Sequence, residues 1–162
     1  MDPILNQFGY KEFREGQKEV ITSLEEGHDA IAILPTGNGK SFIYQYIGVK
    51  EKCRVVIVSP LIALMVDQVA SLKQLGIHRA VAITSLMTEA EKNYILSTLN
   101  EYQFIFVSPE MLQAPRFFKQ LSKLEIGLLV VDEAHCISQW GYDFRSDYLF
   151  IGKMRKSLKN PR

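Results

Sequence analysis

The sequence predicts an α/β fold with a mainly parallel sheet flanked by helices, and three observations predict it. Short β-branched or aliphatic runs recur at residues 30–34, 55–58, 80–83, 104–107 and 128–131, each followed by a polar or turn-forming residue. Segments with helical apolar spacing lie between them, so strand and helix alternate as in βαβ units. The last run, from Gly127 to Val131, is apolar throughout rather than alternating, as expected of a strand buried on both faces of a parallel sheet.

Taken in order, the run at 30–34 is followed by Pro35, Thr36, Gly37, Asn38, Gly39, Lys40 and Ser41, and a helix is expected from near Lys40. The run at 55–58 ends at Ser59, and Leu61, Leu64, Met65, Gln68, Val69 and Leu72 then follow a helical spacing. Thr84 and Ser85 follow the run at 80–83, and Ser108 follows the run at 104–107. Phe117, Phe118 and Leu121 mark a further helix before the last strand, which ends on Asp132 and Glu133. No repeat, low-complexity tract or Gly/Ser-rich linker interrupts the series, and the short loops suit one compact unit.

Composition narrows the function. A chain of 162 residues that is 47% hydrophobic and 23% charged can bury a proper core, which excludes a disordered or fibrous protein. A net charge of +1 argues against a generally basic nucleic-acid binder, so contact with DNA or RNA must come from local placement of Lys, Arg and backbone groups. Cys53 and Cys136 lack zinc or redox spacing, the first residues do not resemble a signal peptide, and no apolar run approaches the ~20 residues that span a bilayer. A soluble, reducing, intracellular setting is expected.

The loop from Thr36 to Ser41 has the strand–loop–helix context of a phosphate-binding loop. Gly37 and Gly39 let backbone N–H groups turn inward, Asn38 tolerates a left-handed backbone, Lys40 can reach the outer phosphates and Ser41 can bind magnesium. Leu34 stands where the strict signature has glycine, so the match is to Gly-x-Gly-Lys-Ser. A glycine turn with an exposed lysine is the plainer alternative. The acidic pair closing a later strand outweighs it, with Asp132 suited to magnesium and Glu133 to orienting and deprotonating the attacking water. His135 and Cys136 fall short of a zinc site, and His135 reads instead as a hydrogen-bonding coupler.

Beyond the acidic pair, Trp140 and Phe144 can stack on bases, and Arg145 can pair with a phosphate or lie on a base. Their setting among Ser138, Gln139, Gly141 and Asp143 reads as loop rather than core. Lys153, Arg155, Lys156, Lys159 and Arg162 read as a solvated helix face. Ser59 and Ser108, at the carboxyl ends of strands, can grip a phosphate backbone, cap the following helices, or do both; Thr84 and Ser85 are weaker candidates.

These residues resemble the RecQ DNA helicases of helicase superfamily 2, nearly end to end. Phe8, Gly9, Tyr10, Phe13, Arg14 and Gln17 resemble that family's adenine-recognition motif, and the segment from Pro35 to Ser41 resembles motif I. Ser59 to Met65 with Asp67 and Gln68 resembles motif Ia, and Ser108-Pro109-Glu110 resembles the motif after the fourth strand. The segment 132–145 resembles motif II fused to the aromatic-rich loop that sets RecQ apart from other helicases.

The resemblance implies a P-loop NTPase fold of RecA-like type and an ATP-dependent 3′–5′ DNA helicase that uses ATP and Mg2+ in DNA repair and recombination; the alternatives are an RNA helicase of the same superfamily, or a nucleotide-dependent nucleic-acid-binding module without hydrolysis. It assigns adenine to Tyr10, Arg14 and Gln17. Their i, i+4, i+7 spacing places them on one helical face if a helix begins this early; on spacing alone Tyr10 would be half-core and the other two solvated. It assigns coupling of DNA to ATP to His135, Gln139 and Tyr142, although Tyr142 stands where the family usually has histidine and Val66 where it often has a basic residue. Residues 1–162 are expected to be the first RecA-like domain of a longer protein. Its expected partners are single-stranded and duplex DNA and the second RecA-like domain. By itself the chain is expected to be a monomer, with turnover lower by ~10³–10⁵ for want of an arginine finger. The expected setting is cytoplasmic, with nucleoid association in a bacterium.

Overall fold

A computed structural model describes residues 2–14, 16–27, 40–112 and 114–131 of the chain. They fall into two compact units, one within residues 1–53 and the other within 54–161. The expected strand at 30–34 and everything from Asp132 onward lie outside the described residues.

Among the described residues the first unit is helical. α1 (Pro3–Gln7) begins on a proline, whose missing N–H costs nothing at that position, and the Asp2 carboxylate caps it by accepting from the Ile4 N–H at 2.9 Å. α2 (Gln17–Glu25) is entered through Gly16 at φ +88°, a left-handed conformation that favours glycine, and it buries Gln17, Ile21 and Leu24 at i, i+4 and i+7. α3 (Lys40–Glu51) is helical from the first described residue onward, in the segment where a helix is expected. Residues 42–48 are all buried, so α3 is a core helix rather than an amphipathic surface one. The Tyr46 hydroxyl on α3 donates to Asp2 at 2.5 Å. Lys50 pairs with Glu25 at 2.5 Å, and since both side chains are largely solvated the pair contributes only about 0–1 kcal/mol.

The second unit is built on a parallel sheet of β1 (Val55–Val58), β2 (Ala80–Ile83), β3 (Phe104–Val107) and β4 (Leu128–Val131), in the order β2-β3-β1-β4. All four were expected with these bounds. The inner strands β1 and β3 are fully buried, as their uninterrupted apolar sequence requires. β4 departs from the expectation of burial on both faces: Leu128 is buried, but Leu129, Val130 and Val131 are half-buried. β4 is an outer strand among the described residues, and β2 at the other edge is likewise half-buried at its two central positions.

Parallel neighbours need crossovers, and helices supply them. α4 (Ile62–Gln74) joins β1 to β2, α5 (Glu89–Ser97) with a 3₁₀ turn (Leu99–Glu101) joins β2 to β3, and α6 (Pro109–Leu112) and α7 (Pro115–Ser122) join β3 to β4. On one sheet face Val56, Val58, Ile105 and Val107 pack with Ile95 of α5, Leu112 of α6, and Phe117 and Leu121 of α7. α4 buries Met65 and Leu72 but exposes Leu64, because Leu64 sits about 100° around the helix from Met65; Leu61 is the extended N-cap residue. At the amino end of the sheet Arg54 donates to the carbonyls of Asn100, Tyr102 and Glu125 at 2.9–3.0 Å. Burial, and after it the nearby Arg79 charge, lowers the Arg54 pKa from its ordinary value. Among the described residues no helix is long and apolar enough to cross a membrane.

Candidate nucleotide and nucleic-acid sites

Lys40 and Ser41 are the first two residues of α3, which carries no acidic residue in its first turn. Lys40 is exposed and Ser41 half-buried, immediately ahead of the buried stretch that begins at Phe42. A helix amino terminus offers N–H groups and a partial positive charge, so an ammonium and a hydroxyl there fit a magnesium-bound triphosphate. Thr36, Gly37, Asn38 and Gly39, which would complete the loop, lie outside the described residues, as do Asp132, Glu133, His135, Gln139, Trp140, Tyr142, Phe144 and Arg145.

The residues expected to recognise adenine are brought together, but not on one helical face. α2 begins at Gln17, so Tyr10 and Arg14 lie in the irregular segment before it; the left-handed Gly16 stops the helix from starting earlier. Two interactions join them instead, and a third ties Tyr10 to α1. The Tyr10 N–H donates to the Leu5 carbonyl at 2.9 Å, the Arg14 guanidinium lies 5.9 Å from the Tyr10 ring centroid, and the Arg14 N–H donates to Gln17 Oε1 at 2.7 Å. Gln17 is only 3% exposed, which departs from the solvated glutamine that spacing alone suggests, while Tyr10 and Arg14 are open to solvent. The backbone hydrogen bond from Arg14 holds the amide oxygen of this buried glutamine.

Sequence reasoning did not single out the residue that holds this cluster against α3. Tyr10 meets Phe42 edge-on, with ring centroids 4.9 Å apart and an interplanar angle of 69°. Phe42 directly follows Ser41, so residues suited to a base and residues suited to phosphates share one packing joint inside the first unit. The available signal was the pair Phe42 and Tyr46, one turn apart on the predicted helix, together with the aromatics Phe8, Tyr10 and Phe13.

In the second unit the hydroxyls at the strand ends bond to the backbone that follows: Ser108 reaches the first turn of α6, but Ser59 does not cap α4 as expected, because the N-cap residue there is Leu61 and Ser59 instead closes the turn before it. Ser59 Oγ accepts from the Leu61 N–H at 3.3 Å, Thr84 Oγ1 from the Leu86 N–H at 3.3 Å, and Ser108 Oγ from the Met111 N–H at 3.4 Å. The three residues are only 2%, 5% and 1% exposed, so any ligand at this edge meets the surrounding backbone and neighbouring side chains first. Ser85 and Leu86 are exposed, as is Val66 on α4.

Comparison with known proteins follows the same lines. The description of the DEAD/DEAH box helicase family matches residues 14–161. The chain is 47% identical over 154 residues to "Probable ATP-dependent DNA helicase RecS" of Bacillus subtilis, covering 95% of this chain and 31% of that protein. It is 40% identical over 153 residues to "ATP-dependent DNA helicase RecQ" of Haemophilus influenzae, covering 93% and 25%. It thus spans about a third or less of the length of these relatives. Among solved structures it resembles a hypothetical ATP-dependent RNA helicase from Sulfolobus tokodaii, with a TM-score of 0.79 at 17% identity over 98% of this chain and 49% of that one. It also resembles the Mycobacterium smegmatis helicase Lhr bound to ssDNA and AMP-PNP, with a TM-score of 0.78 at 16% identity over 99% and 23%. At such identities the likeness shows the fold alone, an α/β fold with a parallel sheet flanked by helices.

Proposed function

The chain belongs to the DEAD/DEAH box helicase family, and we propose that it is the first RecA-like, ATP-binding domain of a RecQ-type helicase that moves 3′ to 5′ on single-stranded DNA and separates duplex. One observation carries this reading. The Tyr10, Arg14 and Gln17 cluster rests on Phe42, the residue after Lys40 and Ser41, so groups suited to a purine and groups suited to its phosphates lie on one structural joint. The similar proteins named as ATP-dependent DNA helicases support DNA as the substrate.

ATP with magnesium supplies the phosphoanhydride bond whose cleavage drives movement. Lys40 and the first N–H groups of α3 offset phosphate charge, while the Ser41 hydroxyl and the Asp132 carboxylate hold the metal. Glu133 orients the attacking water and takes its proton. Tyr10 and Arg14 pack on the base, and the Gln17 amide bonds its edge.

Backbone N–H groups beside Ser59 and Ser108 hold the DNA backbone, and Trp140, Phe144 and Arg145 engage bases and phosphate. His135, Gln139 and Tyr142 lie in the sequence between Glu133 and Phe144, suited to pass DNA contact to the hydrolytic residues. A second RecA-like domain of the full-length protein completes the catalytic centre with an arginine finger, and the working setting is the cytoplasm or nucleoid.

ATP hydrolysis by the intact protein, measured with single-stranded DNA or RNA as activator, tests this. DNA should stimulate turnover more than RNA, and Lys40→Ala should reduce it at least about 100-fold. Stimulation by RNA alone would reassign the substrate, and turnover indifferent to both would remove the nucleic-acid role.

A further inference from the structure

We propose that Phe42 is a positioning residue that sets base selectivity by fixing the adenine-recognition segment to the phosphate-binding end of α3. This deepens the reading above and rests on it. Phe42 is 2% exposed, and three rings from the segment between α1 and α2 converge on it. Phe8 meets it edge-on at 5.2 Å and 73°, Tyr10 at 4.9 Å and 69°, and Phe13 tilted at 6.2 Å and 44°. Tyr46, one turn along α3, extends the platform: its ring lies 5.7 Å from Phe42 and 5.1 Å from Phe13.

The segment needs such a platform. Between the end of α1 and the start of α2 it has neither helix nor strand, and it passes through left-handed glycines at Gly9 (φ +80°) and Gly16 (φ +88°). Its backbone is tied to α1 by the Gly9 N–H to the Asn6 carbonyl and the Tyr10 N–H to the Leu5 carbonyl. The Tyr10 ring is therefore aimed largely by its edge contact with Phe42. Arg14 lies over that ring, and the Arg14 N–H orients the Gln17 amide, so the aim passes from Phe42 through Tyr10 to the group that reads the base.

An edge-to-face contact between rings is directional, whereas an aliphatic side chain of similar bulk fills the space without setting an angle. Phe42→Leu should therefore leave the core filled but free the Tyr10 and Gln17 geometry. Phosphate contacts are common to all nucleoside triphosphates, so the loss should fall on the base.

The test is steady-state hydrolysis of ATP and GTP by the intact protein and its Phe42→Leu, Phe42→Tyr and Gln17→Ala variants, with thermal melts alongside. Phe42→Leu should raise KM for ATP about three- to tenfold, more than it lowers kcat, and shrink the ATP-over-GTP ratio of kcat/KM by a similar factor. Phe42→Tyr, which keeps the ring, should restore that ratio. A ratio unchanged in Phe42→Leu but collapsed in Gln17→Ala overturns the role of Phe42 and leaves adenine recognition standing. A ratio unchanged in Gln17→Ala overturns adenine recognition itself. A fall that Phe42→Tyr does not reverse assigns the effect to packing and overturns the proposal. If Phe42→Leu does not fold, Phe8→Leu and Phe13→Leu, which remove rings resting on Phe42 from half-buried positions, replace it; an unchanged ratio in both overturns the proposal.

Discussion

Asp2 joins two parts of the first unit with one carboxylate: one oxygen caps α1 and the other accepts from the Tyr46 hydroxyl of α3. That hydroxyl, ahead of the backbone N–H groups of Ile4 and Leu5, holds the Asp2 carboxyl below its ordinary pKa of 3.8. Burial, followed by the same hydrogen bond, pushes the Tyr46 hydroxyl up to about 12. The signs follow from linkage. The contribution of Asp2 is present above 3.8 and is lost as the pH falls through its lowered folded value. That of Tyr46 is complete below 10.0 and is lost as the pH rises through about 12. Asp2→Asn should lower the melting temperature at neutral pH, and the difference from the parent should shrink in acid below 3.8. A difference that does not change with pH would show that the charge on Asp2 contributes nothing. This tether was not legible in the sequence, because Asp2 and Tyr46 are joined only by the folding of α1 against α3. The role of Gln17 was half legible: its amide chemistry could be read, but its burial and its bond to Arg14 depend on Gly16 ending the irregular segment.

Elements were the most legible scale. Each expected strand within the described residues formed at its expected bounds, because a short uninterrupted apolar run rich in β-branched and aliphatic residues, closed by a polar residue, suits a short parallel strand. α3 was expected in the segment where it lies. α5 fills the helical place expected between β2 and β3, but its residues were not singled out because its apolar spacing is weak, with Ile95 its one buried residue. Its signal lay in the cap instead. Thr88 Oγ1 accepts from the Glu91 N–H at 3.1 Å while Glu91 Oε1 accepts from the Thr88 N–H at 3.2 Å, a reciprocal box that stands in the sequence as Thr-x-x-Glu. Thr88→Ala should cost about 1 kcal/mol in denaturant unfolding, with little change in the dependence on denaturant concentration. A loss near zero would mean that packing alone holds α5. The exposure of Leu64 and the half-burial of β4 were not legible, since the apolar pattern identifies a helix or strand without giving its rotation or its place in the sheet.

At the scale of the whole molecule, the parallel sheet sets strand ends and following helices at one edge, where open α/β sheets take their ligands. The hydroxyl bonds of Ser59, Thr84 and Ser108 to the backbone finish that edge. At the opposite end Arg54 fastens the approaches to β1, β3 and β4 through three carbonyls. Chain order could not reveal this clamp, because its acceptors are backbone atoms 46, 48 and 71 residues away. The division of labour proposed for the chain, with ATP held by motif residues and DNA engaged by the segment after residue 131, rests on residue types together with the resemblance to the RecQ helicases. The direct measurement is ATP-driven strand separation of a 3′-tailed duplex DNA by the intact protein, compared with its Glu133→Gln variant. The account predicts that the parent unwinds the duplex only with ATP and magnesium, and that Glu133→Gln still binds nucleotide but hydrolyses and unwinds about 10²–10⁴ times more slowly. Unwinding by Glu133→Gln at the parental rate, or no ATP-dependent unwinding by the parent, would contradict it.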